Sequence, residues 1–172
     1  MAINTNSIIK VTGNFANDTT RELKLNTIDT FTVTSATISE FQPKNCNYLT
    51  YKLEVKGTNS KGLSRKLPVV WAGKSISEDT IASDIFFKGI FEQLAEEDDE
   101  LPAFQGETLR ELIDQEAAYI VGKTFKVCVY FHGYQNKDMV MVYGPTVCTD
   151  ESMMEFKLNK GLDDYDAYLA NS

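Results

Sequence analysis

The sequence predicts a mainly β protein with an inserted helical region, an α+β fold, from three observations. Residues 28–73 hold runs that are rich in Thr, Val and Ile and that alternate as strands do. Residues 76–121 change to the spacing of amphipathic helices, and residues 123–147 return to strand-like runs. With 172 residues, the chain has the usual size of one domain and can bury a core without disulfides or metals.

Three strands are predicted in the first half of the chain. The first spans about 28–41 and contains FTVTSATI, whose β-branched residues suit a pleated, half-buried surface. After the turn cluster QPKNCN, the segment YLTYKLEVKG alternates apolar and polar residues, as a strand with one buried face does. The turn TNSKG leads to a third strand, LSRKLPVVWAG, in which Pro68 must lie where no ladder hydrogen bond is needed.

Two helices are predicted between the third and fourth strands. Ser75 and Glu78 have the spacing of a capping box, and IASDIFFKGIFEQL continues at roughly helical spacing, with a glycine that weakens its middle. The second helix spans about 107–121 and has one apolar stripe and a capping box formed by Thr108 and Glu111. Gly122 follows at the position of a C-terminal cap.

The last part of the chain predicts two more strands and an acidic end. The strands span about 123–132 and 138–147 and are joined by the polar turn GYQNK. MMEFKL then has the pattern of one further strand before the acidic segment GLDDYDAYLANS. We therefore expect one domain over residues 1–148, with its helical insert at about 76–121, and a C-terminal extension over 149–172 that carries an acidic tail.

No pattern in the chain predicts catalysis or a bound metal, so we expect a protein that is not an enzyme and has no cofactor. GKS and GKT end like a phosphate-binding P-loop, but Pro68 and Ala117 stand where its first glycine is required. The single histidine and three cysteines have neither CxxC spacing nor a glycine-framed nucleophile. The consecutive acids EEDDE are typical of a solvated loop rather than of a hard-cation site.

The sequence also favours a cytoplasmic location, in the host cytoplasm if the protein is viral. No basic start is followed by an apolar run, so no secretory signal is predicted. IASDIFFKGIFEQL is the most apolar helical segment, and it is too short and too charged to span a bilayer. An odd number of cysteines without a disulfide-like framework is typical of a reduced compartment.

The charges are segregated along the chain, although the net charge is −8. Residues 40–75 hold seven basic and two acidic side chains, whereas residues 76–122 hold two basic and thirteen acidic ones. The local balance returns to +2 over residues 123–147 and falls to −4 from residue 148 to the end. A polyanionic partner is therefore compatible with the basic segments, in spite of the negative total.

Three strands, a helical insert and two strands make the order of an OB-fold, a five-stranded antiparallel Greek-key barrel. Such barrels bind oligonucleotides on their second and third strands and with the loops that follow the first and fourth strands. Basic residues fall on or beside these elements, and we expect them to contact phosphates: Lys44, Lys52, Lys56, Arg65, Lys66, Lys126 and Lys137. Bases also need rings on which to stack, and the candidates are Tyr48, Trp71, Tyr130, His132 and Tyr134.

This layout resembles bacteriophage single-stranded DNA-binding proteins in three features: a basic β-barrel, a helical insert before GKTFKVCVYF, and the acidic ending GLDDYDAYLANS. The resemblance implies a protein that coats single-stranded DNA during replication or recombination, without sequence preference. It also implies that tail carboxylates, here Asp163, Asp164 and Asp166, contact replication or recombination proteins. The chain departs from the family in its long acidic insert and in the lack of an aromatic final residue.

Two other classes of function stay open from the sequence. The Thr/Asn-rich start and the proline in the third strand suit a viral structural or assembly protein whose β-sandwich packs against copies of itself. The acidic residues 92–116 suit a decoy that mimics DNA and occupies a nucleic-acid-binding protein of the host. A homo-oligomer is compatible with a single-stranded DNA-binding protein and with a viral assembly protein.

Overall fold

The computed structural model describes residues 22–41, 50–73, 82–97 and 104–171. Within these ranges no helix is both long enough and apolar enough to cross a membrane. A 3₁₀ turn, Glu151–Met153, precedes the last helix. The strands and helices, in chain order, are β1 (Thr27–Phe41), β2 (Thr50–Asn59), β3 (Ser64–Lys66), β4 (Val70–Gly73), α1 (Ala82–Glu97), α2 (Leu109–Ile120), β5 (Thr124–Gln135), β6 (Met141–Cys148) and α3 (Met154–Ala170).

The strands form one antiparallel sheet in the order β3, β2, β1, β5, β6, and β4 pairs with β2 beside β3. Strand β1 joins the two halves: Thr27–Thr32 pairs with β5, while Phe31–Phe41 pairs with β2. An irregularity in the β1 and β2 register between Val33 and Ser35 bends β1. The sheet therefore curls into a half-barrel, and the prediction of a mainly β, α+β protein is confirmed.

The predicted third strand is divided at its proline. Strand β3 pairs with Lys56–Thr58, and β4 pairs with Thr50–Leu53 on the same edge of β2. Between them, the Leu67 N–H donates to the Val55 carbonyl at 3.0 Å. Pro68 follows at the break, where its lack of an N–H costs the sheet no hydrogen bond.

One face of the sheet, together with α1 and α2, forms the main core. Alternate residues of β1, β2 and β5 point into it, because successive side chains of a strand lie on opposite faces. The bulge shifts this alternation in β1, so that Phe31 and Val33 face the core before it and Ala36 and Ile38 after it. The most deeply buried members are Phe31, Val33, Leu53, Val55, Leu67, Phe87, Ile90, Ile113, Ile120, Val127 and Val129.

Helix α1 is held against the sheet by polar contacts as well as by its apolar side. The amide nitrogen of Gln93 donates to the carbonyls of Lys126 and Thr149, at 2.9 and 2.8 Å, and its oxygen accepts from the Lys126 N–H at 2.7 Å. Strand β6 has ended at Cys148, opposite Cys128. The Gln93 side chain thus takes the place of the next strand-to-strand pair and fixes α1 beside the start of β5.

A glycine allows α1 to approach this closely. A Cβ atom built on Gly89 would lie 2.4 Å from Thr149 Oγ1 and 2.5 Å from the Thr149 carbonyl carbon. The same hydroxyl donates to the Phe86 carbonyl at 2.6 Å. By its sequence, Gly89 is a weak point of its helix. In the structure, Gly89 is where the helix contacts Thr149, the first residue after β6.

The ends of α2 follow the sequence pattern. Thr108 Oγ1 accepts a hydrogen bond from the Glu111 N–H at 3.2 Å, so the capping contact predicted there is confirmed. Gly122 has a φ of +86°, which favours glycine, and its N–H donates to the Val33 carbonyl at 2.8 Å. The capping box predicted at Ser75 and Glu78 lies outside the described residues.

The prediction of a strand at MMEFKL is wrong, because these residues begin helix α3. Met154, Gly161 and Tyr165 lie on one side of this helix and are buried against the sheet. A Cβ atom on Gly161 would lie 3.0 Å from the Phe131 carbonyl oxygen, so the helix packs directly on the β5 backbone. A run of six residues with mixed polarity fits the period of a strand and the period of a helix equally well. The packing of these residues against β5 decides for the helix.

We expect Gly89→Ala to destabilise the protein. Alanine would normally strengthen a helix interior by about 1 kcal/mol, but its Cβ would here meet the Thr149 backbone, so we expect an overpacking cost of about 2–3 kcal/mol and a net fall of about 1–2 kcal/mol in the free energy of unfolding. Urea denaturation measures this change. Lys88→Ala at the neighbouring exposed position is the control, with an expected effect within about 0.5 kcal/mol. An unchanged or raised stability of Gly89→Ala would show that α1 can shift freely from Thr149.

Candidate nucleic-acid interface

The face of β1–β4 opposite the core carries lysines and hydroxyl groups. Side chains directly opposite each other in an antiparallel pair share a face, so the strand register assembles this surface in rows. One row is Ser39, Lys52 and Trp71, and another is Ser35, Lys56 and Lys66. We call this surface the lysine face and define it by Thr30, Thr32, Ser35, Thr37, Ser39, Lys52, Glu54, Lys56, Thr58, Ser64, Lys66 and Trp71.

The lysine face is electropositive. Lys56 and Lys66 are direct cross-strand partners, an arrangement that repulsion between like charges disfavours. Two acids lie with these lysines: Glu54 forms an ion pair with Lys56 at 3.4 Å, and Glu22 is the partner of Lys66 in an isolated bridge at the edge of the sheet. Both side chains of the ion pair are exposed to solvent, and such pairs contribute about 0–1 kcal/mol. Lys56 can therefore exchange Glu54 for another anion at little cost.

An aromatic ring lies among these cations. Trp71 is the cross-strand partner of Lys52 on the lysine face, and 45% of its surface is exposed. It is the only tryptophan of the chain. A flat ring beside an ammonium group is the combination that a base and its phosphate require.

Some of the predicted basic residues are not on this face. Arg65 is opposite Gly57, in register with the core side of β2, and its Nη1 donates to the Ser64 carbonyl at 2.7 Å. Lys44 and Tyr48 fall between β1 and β2, outside the described residues. The structure thus brings Lys52, Lys56, Lys66 and Trp71 together and places Arg65 on the other side of the edge strand.

Helix α3 covers the corresponding face of β5, where the sequence predicts that Lys126, Tyr130 and His132 meet a ligand. Met154 packs with Cys128 and Tyr130 in a second, smaller core. Tyr130 is only 6% exposed, and the Lys157 ammonium lies 5.6 Å from the centre of its ring. Tyr130 therefore has no surface on which a base could stack, a correction to the sequence prediction that follows from the packing of α3.

The remaining candidates of β5 lie at the margins of α3. The Lys126 ammonium pairs with Glu151 at 2.7 Å. His132 stacks on Tyr134, which is half exposed, with 5.7 Å between ring centres. Burial, followed by the Lys160 ammonium, lowers the pKa of His132 and so favours the neutral imidazole. Lys137 is exposed in the turn beyond β5.

The predicted tail carboxylates belong to the packed helix. Strand β1 begins at Thr27, which pairs with Val129 of β5. The pairing of β1 with β5 therefore does not extend as far as Gly133. The Gly133 N–H donates instead to Asp164 Oδ2 at 3.3 Å, and Lys160 pairs with the same carboxylate at 3.1 Å. Asp163 is exposed and Asp166 is half-buried. Asp164 therefore has a structural contact that the sequence did not reveal.

Two cysteines lie under α3, and neither has the character of a reactive thiol. Cys128 and Cys148 are cross-strand partners, and both are free and buried. Burial, and next the neighbouring Cys148, raises the pKa of Cys128 to about 12. Burial also raises the pKa of Cys148 above its usual value. Among the described residues, no three His, Cys, Asp or Glu side chains are grouped so that they could hold a metal ion.

Comparison with known proteins adds no assignment: the chain matches no protein-family model, and no curated protein is significantly similar to it in sequence. A functional interpretation therefore depends on the geometry above. The most distinctive surface of the described chain is the lysine face, because it combines opposed lysines, an exposed tryptophan and a series of hydroxyl groups.

We expect Cys128 and Cys148 to react slowly with thiol reagents in the folded protein. At pH 8 a thiol whose pKa is raised toward 12 is almost entirely neutral, and only the thiolate is a good nucleophile. The rate of reaction with Ellman's reagent, measured in a Cys46→Ser background, should be at least about a hundredfold lower in buffer than in denaturant. Rapid reaction in buffer would indicate that α3 opens readily from β5. Tyr165→Ala, which weakens the packing of α3, should raise the rate.

Proposed function

We propose that this protein binds single-stranded DNA without catalysis and that the lysine face is its contact surface. The observation that carries the proposal is the placement of Lys52, Lys56, Lys66 and Trp71 on one face of the sheet, the face opposite the main core. Single-stranded nucleic acid is bound, without sequence preference, by cations that follow the backbone and by rings that stack on bases. Hydroxyl groups from β1 add hydrogen-bond donors for phosphate oxygens.

The strand order supports the further proposal that the half-barrel is an OB-fold. If β3 and β4 count as one strand broken at Pro68, the order third, second, first, fourth, fifth is that of an opened five-stranded Greek-key barrel. The lysine face then corresponds to the second and third strands, which bind oligonucleotides in that fold. The hairpin of β5 and β6, with Tyr134 and Lys137, corresponds to the second binding loop.

The distribution of charge supports a polyanionic ligand in spite of the net charge of −8. The acidic side chains of the insert that the structure describes lie on or beside α1 and α2, which pack on the core side of the sheet: Glu92, Glu107, Glu111, Asp114 and Glu116. The lysine face is on the opposite side, so the sheet separates these carboxylates from its lysines. A local positive surface attracts a polyanion even when the whole protein is acidic, particularly at low ionic strength.

The biological setting is part of the same proposal. By its resemblance to bacteriophage single-stranded DNA-binding proteins, the protein would coat single-stranded DNA during replication or recombination in the host cytoplasm. Asp163, exposed on α3, is then the carboxylate best placed to contact replication or recombination proteins. Asp164 is a poorer candidate for that role because it accepts the Gly133 N–H and pairs with Lys160.

We expect replacement of Lys52 and Lys66 by alanine to weaken binding and to reduce its dependence on salt. Each phosphate contact contributes about −0.7 to the slope of log K against log salt for single strands, so the slope should become less steep by about 1.4. Fluorescence anisotropy of labelled oligo-dT between low and moderate salt measures it. Lys88→Ala, which removes a cation on α1, is the control and should leave the slope unchanged. An equal slope in the double variant would reject the lysine face as the phosphate contact.

We expect the fluorescence of Trp71 to report binding directly, since it is the only tryptophan. Stacking with a base should quench its emission during titration with unlabelled oligo-dT. Trp71→Ala should raise the Kd by roughly 5-fold to 150-fold, the equivalent of about 1–3 kcal/mol for one stacked base. Trp71→Phe, which keeps a ring, should lose less affinity than Trp71→Ala. Binding that leaves the emission unchanged would place the DNA elsewhere.

A further inference from the structure

Strand β6 is an edge of the described sheet, and alternate residues of it point their backbone groups outward. On the neighbouring strand, the Val129 carbonyl accepts from the Asn26 N–H, and the Phe131 N–H donates to Asn26 Oδ1. These two residues of β5 therefore turn their backbone groups toward the β1 side. Because an antiparallel ladder alternates between bonded and unbonded pairs, their partners on β6 turn away from β5. The outward residues of β6 are Met141, Tyr143, Pro145 and Val147.

The outward edge of β6 has the groups that pairing with another strand requires. It presents the carbonyls of these residues and, except at Pro145, their N–H groups. Sheet edges that stay single are commonly protected by charged side chains. The segment Met141–Cys148 contains no charged residue, and the side chains of Met141, Val142 and Pro145 are exposed. The edge therefore offers both hydrogen bonds and apolar contacts.

A glycine in the middle of β6 has no role in the packing of the described residues. The φ of Gly144 is not positive, and a Cβ atom built on it would have no heavy atom within 4 Å apart from its chain neighbours. Glycine in a strand costs stability, and it often marks a position where another backbone approaches closely. Gly144 thus indicates where a second chain comes near β6.

Pro145 restricts two copies of β6 to one register. In an antiparallel pair of identical strands, Tyr143 can face the partner's Pro145, and Met141 then faces the partner's Val147. Every outward N–H of both copies meets a carbonyl in this register, because the Pro145 carbonyl accepts from Tyr143. A shift in one direction sets two prolines face to face, and that pair forms no hydrogen bond. A shift in the other direction places the Val147 N–H beyond the end of the partner's strand.

We propose that β6 pairs in this register with β6 of a second copy. Gly144 of one molecule then faces Gly144 of the other on a two-fold axis, as an unbonded pair whose Cα atoms approach to about 4.5 Å. Each edge is satisfied by the other, so the assembly closes as a dimer. One sheet consequently runs through both molecules.

The side chains along the edge support the second copy as the partner. Facing residues of an antiparallel pair share a side of the sheet. Tyr143 therefore contacts the partner's Pro145, and Met141 contacts the partner's Val147, so that exposed apolar side chains cover one another. Tyr168 of α3 is also exposed, and its ring lies 5.1 Å from the Tyr143 ring, so it extends the same apolar surface.

This inference does not rest on the proposed function, because the β6 edge includes none of the lysines that would bind DNA. Since facing residues share a side of the sheet, the two lysine faces of a dimer lie on the same side. If both proposals hold, the dimer presents two DNA-binding surfaces in one direction. Failure of the DNA titrations described above would leave dimerisation measured without DNA unaffected, and the reverse is also true.

The test places charges at position 144 and measures dimerisation by sedimentation velocity without DNA. Gly144→Glu sets two carboxylates opposite each other across the two-fold axis, and Gly144→Lys sets two ammonium groups there. Wild-type protein should form dimers, and nothing larger, as its concentration rises. Each variant alone should dimerise at least about tenfold more weakly, because like charges are opposed in the interface. The open space at Gly144 leaves the folded monomer unaffected, which circular dichroism checks.

Mixing the two variants gives the decisive result. A glutamate then faces a lysine across the axis, so an equimolar mixture should dimerise at least about tenfold more tightly than either variant alone. Lys61→Glu is the control, since it changes an exposed charge in the turn between β2 and β3, and it should dimerise as the wild type does. Met141→Pro removes an outward N–H that β5 does not use, so it should weaken the dimer while the monomer stays folded.

Three outcomes would overturn the proposal. Wild-type protein that stays monomeric to high concentration has no such interface. Gly144→Glu that dimerises as strongly as the wild type would show that position 144 is not at the dimer contact. A mixture that dimerises no better than its two folded components would show that the two copies of residue 144 do not face each other.

Discussion

The shared pairing of β1 is the constraint on which the rest of the structure depends. Its first residues pair with β5 and its later residues with β2, so one strand joins the two halves of the sheet. The bulge after Val33 makes this possible, because it bends the strand and shifts its inward side chains from Phe31 and Val33 to Ala36 and Ile38. Without that shift, one half of β1 would present its polar residues to the core.

The helices then divide the surface of the sheet. On the core side, α1 is fixed by Gln93 at the start of β5 and by the close approach of Gly89 to Thr149. On the opposite side, α3 packs over β5 through Gly161 and buries Tyr130. Half of the outer face is consequently covered, and the other half, the lysine face, is left open in the described part of the chain. The candidate interface exists because α3 lies over β5 and not over β2.

The same packing explains why strand alternation indicated the exposed residues of β2 better than those of β5. Alternation along β2 placed Lys52 and Lys56 on the surface, and the pairing with β3 and β4 added Lys66 and Trp71 to them. An identical alternation along β5 gave Lys126, Tyr130 and His132, yet a helix covers Tyr130. Arg65 differs for another reason: it lies on the other face of a strand of three residues, where the register with Gly57 decides its side.

The sequence by itself determined which residues form strands and helices where the period was clear, the cap of α2 at Thr108, a Pro68 that makes no ladder hydrogen bond, and the segregation of charge. These are local properties, set by backbone sterics, hydrogen bonding of neighbouring residues and side-chain alternation. Only the tertiary structure decided that MMEFKL is helical, that Asp164 accepts the Gly133 N–H of β5, and that Gly89 contacts Thr149. A period tells on which side of its own element a residue lies, but it does not tell which other element covers that side.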